Sequence, residues 1–499
     1  MKTRTKETRN KTTKQAPPVL ISLIPIIALI VLMFFSIAFF GSDSLSGGTQ
    51  ICILLAVAVC IGISRFGYGV GWKSFEEGIK KTLGEAALPI LILLMIGMMS
   101  GTWMVSGVVP TFIYYGVQIM SPKYFLLCTC AVCAVISVLS GSSWTTIATI
   151  GIAFLGIGDA LGISEWWTAG AIISGAYFGD KISPLSDTTV LASSSAGVDL
   201  FEHIRYMMIT TVPAFVIALI IYGTYGFIYG DNAVIHIEEY TEGLDAKFNI
   251  TLWTLIVPIA TGFLVYRKVP SAIALFLSGI LGGICALILQ PHLLCEIAQN
   301  SAEVTLSEVE GSFGCPQSSI LKGVMQSMFG PTSLHMSTPA LTNLVSTNGM
   351  SGVLNTIWLI ICSMTFGGAM MVSGMIGSIA NFIIRGVKNR FTLVTSTVAN
   401  GILMNLTASD QYLSILLSNN LFSEVYIKNR YEKRLLSRST EDSATVTSVL
   451  VPWNSCGMTQ SIVLGVPTIV YLPFCFFNYL SPLMSIIVAL CGYKIKKTE

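Results

Sequence analysis

Apolar runs of about 20 residues, separated by short polar segments, recur along the 499-residue chain. A helix of about 20 apolar residues spans the hydrocarbon core of a bilayer. The first run, Pro18 to Phe40, is too long for a signal-peptide core and lacks a small-residue cleavage site, so we expect a retained span. The pattern predicts an all-α polytopic membrane protein with ten crossings and two hairpins.

Polar residues interrupt this pattern at two kinds of place. Two apolar segments contain a break: GDKISPLSDTT (179–189), in which Pro184 cannot continue a helix, and PWNSCG (452–457), within the apolar run 444–466. Elsewhere, two short apolar arms flank a polar tip, SGSSWTT (140–146) in one case and TASD (407–410) in the other. Short arms around a polar tip predict a re-entrant hairpin, which is tolerated only where the tip lines a cavity or is buried in protein.

The same features occur twice, in the same order and at nearly one offset. GTWMVSG (101–107) and GAMMVSG (368–374) share five of seven residues at an offset of 267. The hairpin tips share that offset, and the breaks follow at an offset of 268. Because the first copy starts inside and the second outside, we predict an inverted repeat. Inverted repeats whose broken helices meet at the midplane are typical of secondary transporters.

Charge sets the orientation of the predicted spans. The chain is 53% hydrophobic and 11% charged, with a mean hydropathy of +0.73, and no polar stretch is long enough for a second soluble domain. We place Lys123, Lys247 and Lys322 outside, Lys181 in the membrane, and the other 24 of the 28 Lys and Arg inside. The positive-inside rule then predicts that both termini are cytoplasmic.

These patterns divide the chain into seven parts. They are a cytoplasmic tail (1–16), two scaffold helices (17–70), the first repeat (71–205), connecting scaffold helices (206–292), an extracytoplasmic loop and linker (293–337), the second repeat (338–492) and a C-terminal tail (493–499).

The break in the first repeat has the chemistry of a hard-cation site. Asp187, with Ser183, Ser186 and free backbone carbonyls, offers oxygen ligands that suit Na⁺ or Li⁺. A partly desolvated carboxylate also binds a proton more readily, so Na⁺ and H⁺ could compete for Asp187. The alternative is that Asp187 only caps the returning half-helix.

The second repeat offers matching oxygen ligands. Asp410 is the second predicted Na⁺ ligand, with Thr407 and Ser409 beside it; its alternative role is an N-cap of the outgoing arm. Asn454 and Ser455 occupy the position of Ser186 and Asp187. Three hydroxyls at the first tip would complete the ion or substrate site, unless they serve only close helix contact: Ser142, Ser143 and Thr145.

Asp180 and Lys181 are ionisable groups at membrane depth, where charge is costly and marks a functional path. Because neighbours in a helix do not face each other, we expect Lys181 to pair with Asp187 or Asp410 rather than with Asp180. Lys181 would then stand in for a cation when the site is empty, or form a structural ion pair.

Other classes of protein fit less well. The four histidines show no metal or catalytic spacing, so we expect no enzyme, no cofactor beyond transported Na⁺ and H⁺, and no nucleic-acid partner. Intramembrane aspartyl proteases use a Gly-Asp pair, but the glycine expected at position 177 is replaced by Tyr177. A passive channel would need a continuous pore. Cys295 and Cys315 share one polar loop and are either a disulfide or free thiols.

Four motifs resemble those of the NhaC-type Na⁺/H⁺ antiporters of the ion-transporter superfamily: SGSSWTT (140–146), GDKISPLSDTT (179–189), TASDQY (407–412) and PWNSCG (452–457). The resemblance runs from about residue 70 to 490. It implies two inverted repeats, each with a hairpin and a broken helix, and an elevator-type transport domain that slides against a scaffold in a homodimer. The expected place is the cell membrane.

The same resemblance implies exchange of cytoplasmic Na⁺ or Li⁺ for external H⁺. The family is similar to malate/lactate antiporters and to amino acid carriers as well. Na⁺- or H⁺-coupled transport of an organic acid or amino acid therefore stays open, with Lys181 and the half-helix N-termini as the anion-binding groups.

Overall fold

The structure is a computed structural model that describes residues 17–40, 47–230, 237–267, 269–300, 317–332 and 334–497. Within these ranges the backbone is helical apart from turns and two isolated β-bridges. The predicted cytoplasmic tail (1–16) lies outside the described residues. So does Cys315, which the sequence predicts to be either disulfide-bonded to Cys295 or a free thiol.

Twenty-five α-helices follow one another along the described chain. The first eleven are α1 (Val19–Phe40), α2 (Gly48–Gly62), α3 (Trp72–Glu85), α4 (Ala87–Val105), α5 (Val108–Ile119), α6 (Pro122–Ser140), α7 (Ser143–Thr146), α8 (Ile152–Ala160), α9 (Glu165–Ile182), α10 (Asp187–Ala196) and α11 (Leu200–Tyr229). The middle six are α12 (Ile237–Lys247), α13 (Ile256–Tyr266), α14 (Ser271–Leu289), α15 (Pro291–Asn300), α16 (Gln317–Phe329) and α17 (Pro339–Val345). The last eight are α18 (Leu354–Val372), α19 (Met375–Arg385), α20 (Arg390–Thr407), α21 (Gln411–Lys428), α22 (Lys433–Thr440), α23 (Ser455–Leu464), α24 (Thr468–Tyr471) and α25 (Phe476–Cys491).

Shorter helical turns join some of these helices. The π-helical turns are Ile63–Gly67, Ile147–Gly151 and Glu441–Thr445, and the 3₁₀ turns are Leu252–Leu255, Gly349–Val353, Ser448–Leu450 and Leu472–Phe474.

The described residues contain seven helices long and apolar enough to cross a membrane, or nine if each bent pair counts as one span. Six of the seven match predicted crossings, and the chain is a multi-span membrane protein. The seventh is α6, which is longer than the short hairpin arm expected at 124–139. Pro122 at the start of the helix and Ser140 at its end extend the arm, so its length alone also permits a full crossing.

Both predicted tips and the first predicted break are turns between helices. Gly141, in the left-handed region at φ 70°, ends α6 at the first tip. The second tip is residues 408–410, between α20 and α21. Residues 183–186 separate α9 from α10, as Pro184 predicts.

The second predicted break is also a turn between helical elements, because residues 451–454 separate the 3₁₀ turn Ser448–Leu450 from α23. Beyond the predicted run, α23 turns by 91° into the segment Thr468–Phe474. Gly465, at φ 68°, and Pro467 end α23 and force this change of direction.

The two predicted repeats follow the same order of elements. In each, a long helix (α4 or α18) ends at a left-handed glycine, Gly107 at φ 84° or Gly374 at φ 75°, and a shorter helix follows. A tip and a break come next in both halves. The inverted orientation of the two copies stays a prediction.

Close backbone contact holds the first tip against the first break. α6 packs along α9, and a Cβ atom at Gly175 or Gly179 would collide with backbone carbonyls of α6. Small residues allow this close approach of two membrane helices. The apolar core around α4, α6 and α9 is separate from a second one around α1, α2 and α18.

Candidate ion-binding site

Four of the predicted site residues cap helix N-termini. Ser142 Oγ accepts from Thr145 N at 3.2 Å, and Ser186 Oγ accepts from Thr189 N at 3.4 Å. Asp410 Oδ1 accepts from Leu413 N at 3.0 Å, and Asn454 Oδ1 accepts from Cys456 N at 3.0 Å. The cap of α10 is therefore Ser186 and not Asp187, which is the first helical residue. N-terminal ends of α7, α10, α21 and α23 supply partial positive charge at the tips and breaks.

Asp180 links the first tip to the first break. Ser143 Oγ donates to Asp180 Oδ2 at 2.6 Å, and Ser186 Oγ donates to Asp180 Oδ1 at 2.6 Å. The carboxylate is 5% exposed. Hydrogen bonds from two hydroxyls stabilise its ionised form. Asp180 is predicted from the sequence only as a charge partner, although its position one turn before the break is a signal for this junction.

Asp410 makes the equivalent link in the second half. Ser455 Oγ donates to Asp410 Oδ2 at 3.0 Å, and Ser455 N donates to the carbonyl of Ser409 at 2.9 Å. The predicted cap role of Asp410 is thus present together with a bond to the second break. Ser409 adopts a left-handed backbone at φ 58°, a conformation that is strained for a residue with a side chain.

One cavity of about 480 Å³ reaches these groups. Its lining includes four carboxylates and several neutral polar groups: Glu85, Asp180, Asp187, Asp410, Ser142, Thr145, Thr188 and Gln411. Among the described residues that line it, none is Lys, Arg or His. Asp187 is exposed, whereas Asp180 and Asp410 are buried at its wall.

The carboxylates share this cavity without converging on one point. Within the described ranges, no three His, Cys, Asp or Glu side chains are grouped closely enough to hold a metal ion together. A cation here would take only some of its oxygen ligands from Asp side chains, and the rest from hydroxyls, carbonyls or water.

Lys181 does not face the cavity, and its predicted pairing with Asp187 or Asp410 is wrong. Its ammonium is fully buried, bonds to the carboxylate of Asp442 and donates to Ser481 Oγ at 2.7 Å. Adjacent positions on α9 point Asp180 towards the tip and Lys181 towards α25. Asp442 is not among the predicted site residues, although it belongs to an acidic pair directly before the apolar run at 444.

Three predicted ligands serve the local structure instead of lining the cavity. Ser183 Oγ donates to the carbonyl of Val138 at 2.7 Å, and Thr407 Oγ1 donates to the carbonyl of Leu403 at 2.8 Å. Asn454 Nδ2 donates to the carbonyl of Asn405 at 3.2 Å. These bonds hold the break and the second tip in place, and none of the three residues lines the cavity in this conformation.

A second cavity, of about 650 Å³, continues along the same face of α4. Leu88 and Ile92 line the first cavity, and Ile96 and Ser100 line the second, at the spacing of successive helical turns. The second cavity also contains Asp159 and Glu165.

Comparison with known proteins gives a consistent group of relatives. A model of the Na⁺/H⁺ antiporter family matches residues 3–199 and 175–493. The chain is 34% identical over 451 residues to the Na⁺/H⁺ antiporter NhaC of Alkalihalophilus pseudofirmus, covering 90% of each chain. It is 33% identical to the Na⁺/H⁺ antiporter NhaC of Bacillus subtilis, covering 87% of this chain and 91% of the relative. It is also 33% identical to the malate-2H⁺/Na⁺-lactate antiporter of Bacillus subtilis, covering 89% of each.

Proposed function

This chain belongs to the Na⁺/H⁺ antiporter family, and we propose that it exchanges cytoplasmic Na⁺ or Li⁺ for external H⁺ across the cell membrane. It is a transporter and not an enzyme, and it needs no cofactor besides the ions it moves.

The charge of the cavity carries this proposal. Asp180, Asp187 and Asp410 line it, and the buried Lys181 is neutralised by Asp442 outside it. A cavity with several carboxylates and no basic side chain among its described lining favours a small cation over an organic anion. Hydroxyl and carboxylate oxygens are hard ligands that suit Na⁺ and Li⁺.

Within this site, Asp187 and Asp410 act as Na⁺ ligands, and Ser142 and Thr145 add neutral oxygens. Asp187 is the exposed carboxylate that meets the ion first. Ser143, Ser186 and Ser455 act indirectly, because their hydroxyls are bonded to Asp180 or Asp410.

Transport requires that the site open to each side in turn. We assign the tips and breaks of 71–205 and 338–492 to a moving domain, and 17–70 with 206–292 to a scaffold, in a homodimer with cytoplasmic termini. The two cavities on successive turns of α4 support a path along that face.

The volume of about 480 Å³ favours one second candidate, because it exceeds the need of a single ion. An organic acid or amino acid coupled to Na⁺ or H⁺ would fit. Lys181, the basic side chain expected to bind an organic anion, lies outside the lining, which weakens this candidate.

Proteoliposomes with an acid lumen and a trapped pH-sensitive dye test the proposal. External Na⁺ or Li⁺, but not K⁺, should alkalinise the lumen, and Asp187→Asn should remove the response. If none of the three cations changed the lumenal pH but malate, lactate or amino acids did, the result would overturn Na⁺/H⁺ exchange in favour of the second candidate.

A further inference from the structure

A second group of charged side chains lies behind the cavity, with no exposed surface. It consists of Lys181, Arg438, Glu441 and Asp442, all 0% exposed. Glu441 and Asp442 begin the π-helical turn Glu441–Thr445. Single π-helical turns are rare and are frequent at functional sites.

Three of these four groups are paired. Asp442 binds Lys181, accepts from Thr210 Oγ1 at 3.0 Å, and lies 3.8 Å from Arg438 Nε. Arg438 also lies over the ring of Tyr206, with 4.7 Å from its guanidinium carbon to the ring centre.

Glu441 differs from the other three in forming no ion pair among the described residues, although the guanidinium nitrogens of Arg438 and Oδ2 of Asp442 also lack hydrogen bonds there. Neither of its oxygens has a hydrogen-bonding partner among the described residues. The hydroxyl of Thr445 is near enough to stabilise the Glu441 carboxylate weakly, but it does not meet the geometry of a hydrogen bond. An ionised carboxylate buried without partners is very unfavourable, so its surroundings favour the neutral, protonated form of Glu441.

The charged and titratable groups around Glu441 come from several elements. α9 contributes Lys181, whose positive charge favours ionisation of Glu441, and Asp180, whose negative charge opposes it. α11 contributes His203, which contacts Ser437 in the helix before Glu441. His203 Nδ1 is 2.8 Å from Ser437 Oγ, while its Nε2 has no partner among the described residues.

Uncharged amide side chains of α20, α21 and α25 contact the segment 440–446, which contains Glu441. Asn405 of α20 donates to the carbonyl of Ala444 at 2.7 Å, and Asn478 of α25 donates to the carbonyl of Val446 at 2.7 Å. Asn419 of α21 accepts from Thr440 Oγ1 at 2.8 Å.

The ionisable side chains have a simple charge balance. Lys181 and Arg438 supply two positive charges, against the three carboxyl groups of Asp180, Glu441 and Asp442. With His203 neutral, the set is electrically neutral when one carboxyl group holds a proton. Asp442 is ion-paired, and Asp180 accepts from two hydroxyls, so the proton resides on Glu441.

We propose that Glu441 carries the exchanged proton and that its protonation alternates with Na⁺ binding in the cavity that Asp180 lines. This proposal rests on the proposed Na⁺/H⁺ exchange and deepens it. A cation held in that cavity by Asp187 and Asp410 adds positive charge beside Asp180, and the Glu441 O–H bond then breaks and releases its proton to water. When the cation leaves, Glu441 takes up a proton again. Na⁺ and H⁺ are then exchanged without ever sharing one carboxylate.

Proton release on Na⁺ binding tests this assignment. Na⁺ is added to weakly buffered, purified full-length protein, and released protons are counted against bound ²²Na⁺. Wild type should release about one proton per Na⁺ through Glu441, as linkage between the two sites requires. Glu441→Gln should bind Na⁺ without that release, and its Na⁺ affinity should lose its pH dependence. Glu424→Gln, the same change at an exposed residue of α21, is the matched control.

Each result decides between the alternatives. Proton release by Glu441→Gln equal to that of wild type would overturn the assignment. A Glu441→Gln protein that fails to fold while Glu424→Gln folds would overturn it too, because the amide resembles the neutral carboxyl that the proposal requires. Absence of any Na⁺ binding by wild type would instead contradict the proposed Na⁺/H⁺ exchange itself.

Discussion

Ser143 Oγ donates a 2.6 Å hydrogen bond to Asp180 Oδ2 and so joins the first hairpin tip to the first helix break. The second half makes the same junction with the residue types exchanged. There the carboxylate, Asp410, is on the tip, and the hydroxyl, Ser455, begins the helix after the break. Each junction combines one carboxylate with one hydroxyl, although their order along the chain is reversed.

Replacing Asp180 by Asn should abolish transport. The amide keeps the shape of the side chain but removes the charge that Ser143 and Ser186 stabilise. We expect the Na⁺-dependent pH response of proteoliposomes to fall to the level of empty vesicles, with normal insertion. Asp245→Asn, at an exposed position of α12, is the control and should behave as wild type. A normal response from Asp180→Asn would exclude this carboxylate from the site.

Two substitutions at Asp410 separate its charge from its cap role. Asp410→Asn should stop transport but leave stability almost unchanged, because Asn is an equally good N-cap. Asp410→Ala should stop transport and also cost about 1 kcal/mol of stability through loss of the cap. Thermal unfolding in detergent and the liposome assay measure the two effects. Equal stability of both variants would show that the bond to Leu413 N contributes nothing.

Lys181→Ala should destabilise the protein strongly. It removes the closer of the two cations that face the buried Asp442, leaving only Arg438 at 3.8 Å, and loss of one partner costs about 3–5 kcal/mol in other buried ion pairs. The double variant Lys181→Met with Asp442→Asn should recover only part of this loss, because it removes the Lys181–Asp442 pair but leaves the buried Arg438 without its carboxylate.

A matched surface pair provides the control for this experiment. Lys247 and Glu296 form an ion pair whose side chains are 24% and 28% exposed. Lys247→Ala should therefore cost only about 0–1 kcal/mol. Denaturant unfolding measures all three variants, and similar losses for Lys181→Ala and Lys247→Ala would contradict the structural role of the buried pair.

The sequence was sufficient where chemistry is local. Pro184 predicts the first break, and Asp410 at the start of an apolar arm predicts a cap; both are features of a few consecutive residues. The partner of Lys181 was not predictable in this way. Asp442 is 261 positions away, and helix packing rather than spacing brings the two together. The placement of Ser183 and Thr407 outside the cavity lining was not predictable either, because it depends on which backbone carbonyl each hydroxyl meets: Val138 on α6 for Ser183 and Leu403 on the same helix for Thr407.

Gly179→Ala should separate the tip from the break. A Cβ atom there would lie 2.5 Å from Ser137 Cβ and 2.7 Å from Val138 N, and would also meet the carbonyl of Ala134. Relief of this overlap requires α6 to move away from α9, at a cost of about 1–3 kcal/mol. The same movement stretches the Ser143–Asp180 bond, so Na⁺ transport should fall together with stability.

Gly62→Ala is the matched control for Gly179→Ala. Gly62 ends α2, and nothing lies within 4 Å of the position of its Cβ atom, so alanine should be neutral or slightly stabilising. Thermal unfolding and the liposome assay compare the two variants. If Gly179→Ala matched Gly62→Ala in both, the close contact between α6 and α9 would not be what holds the first tip at the break.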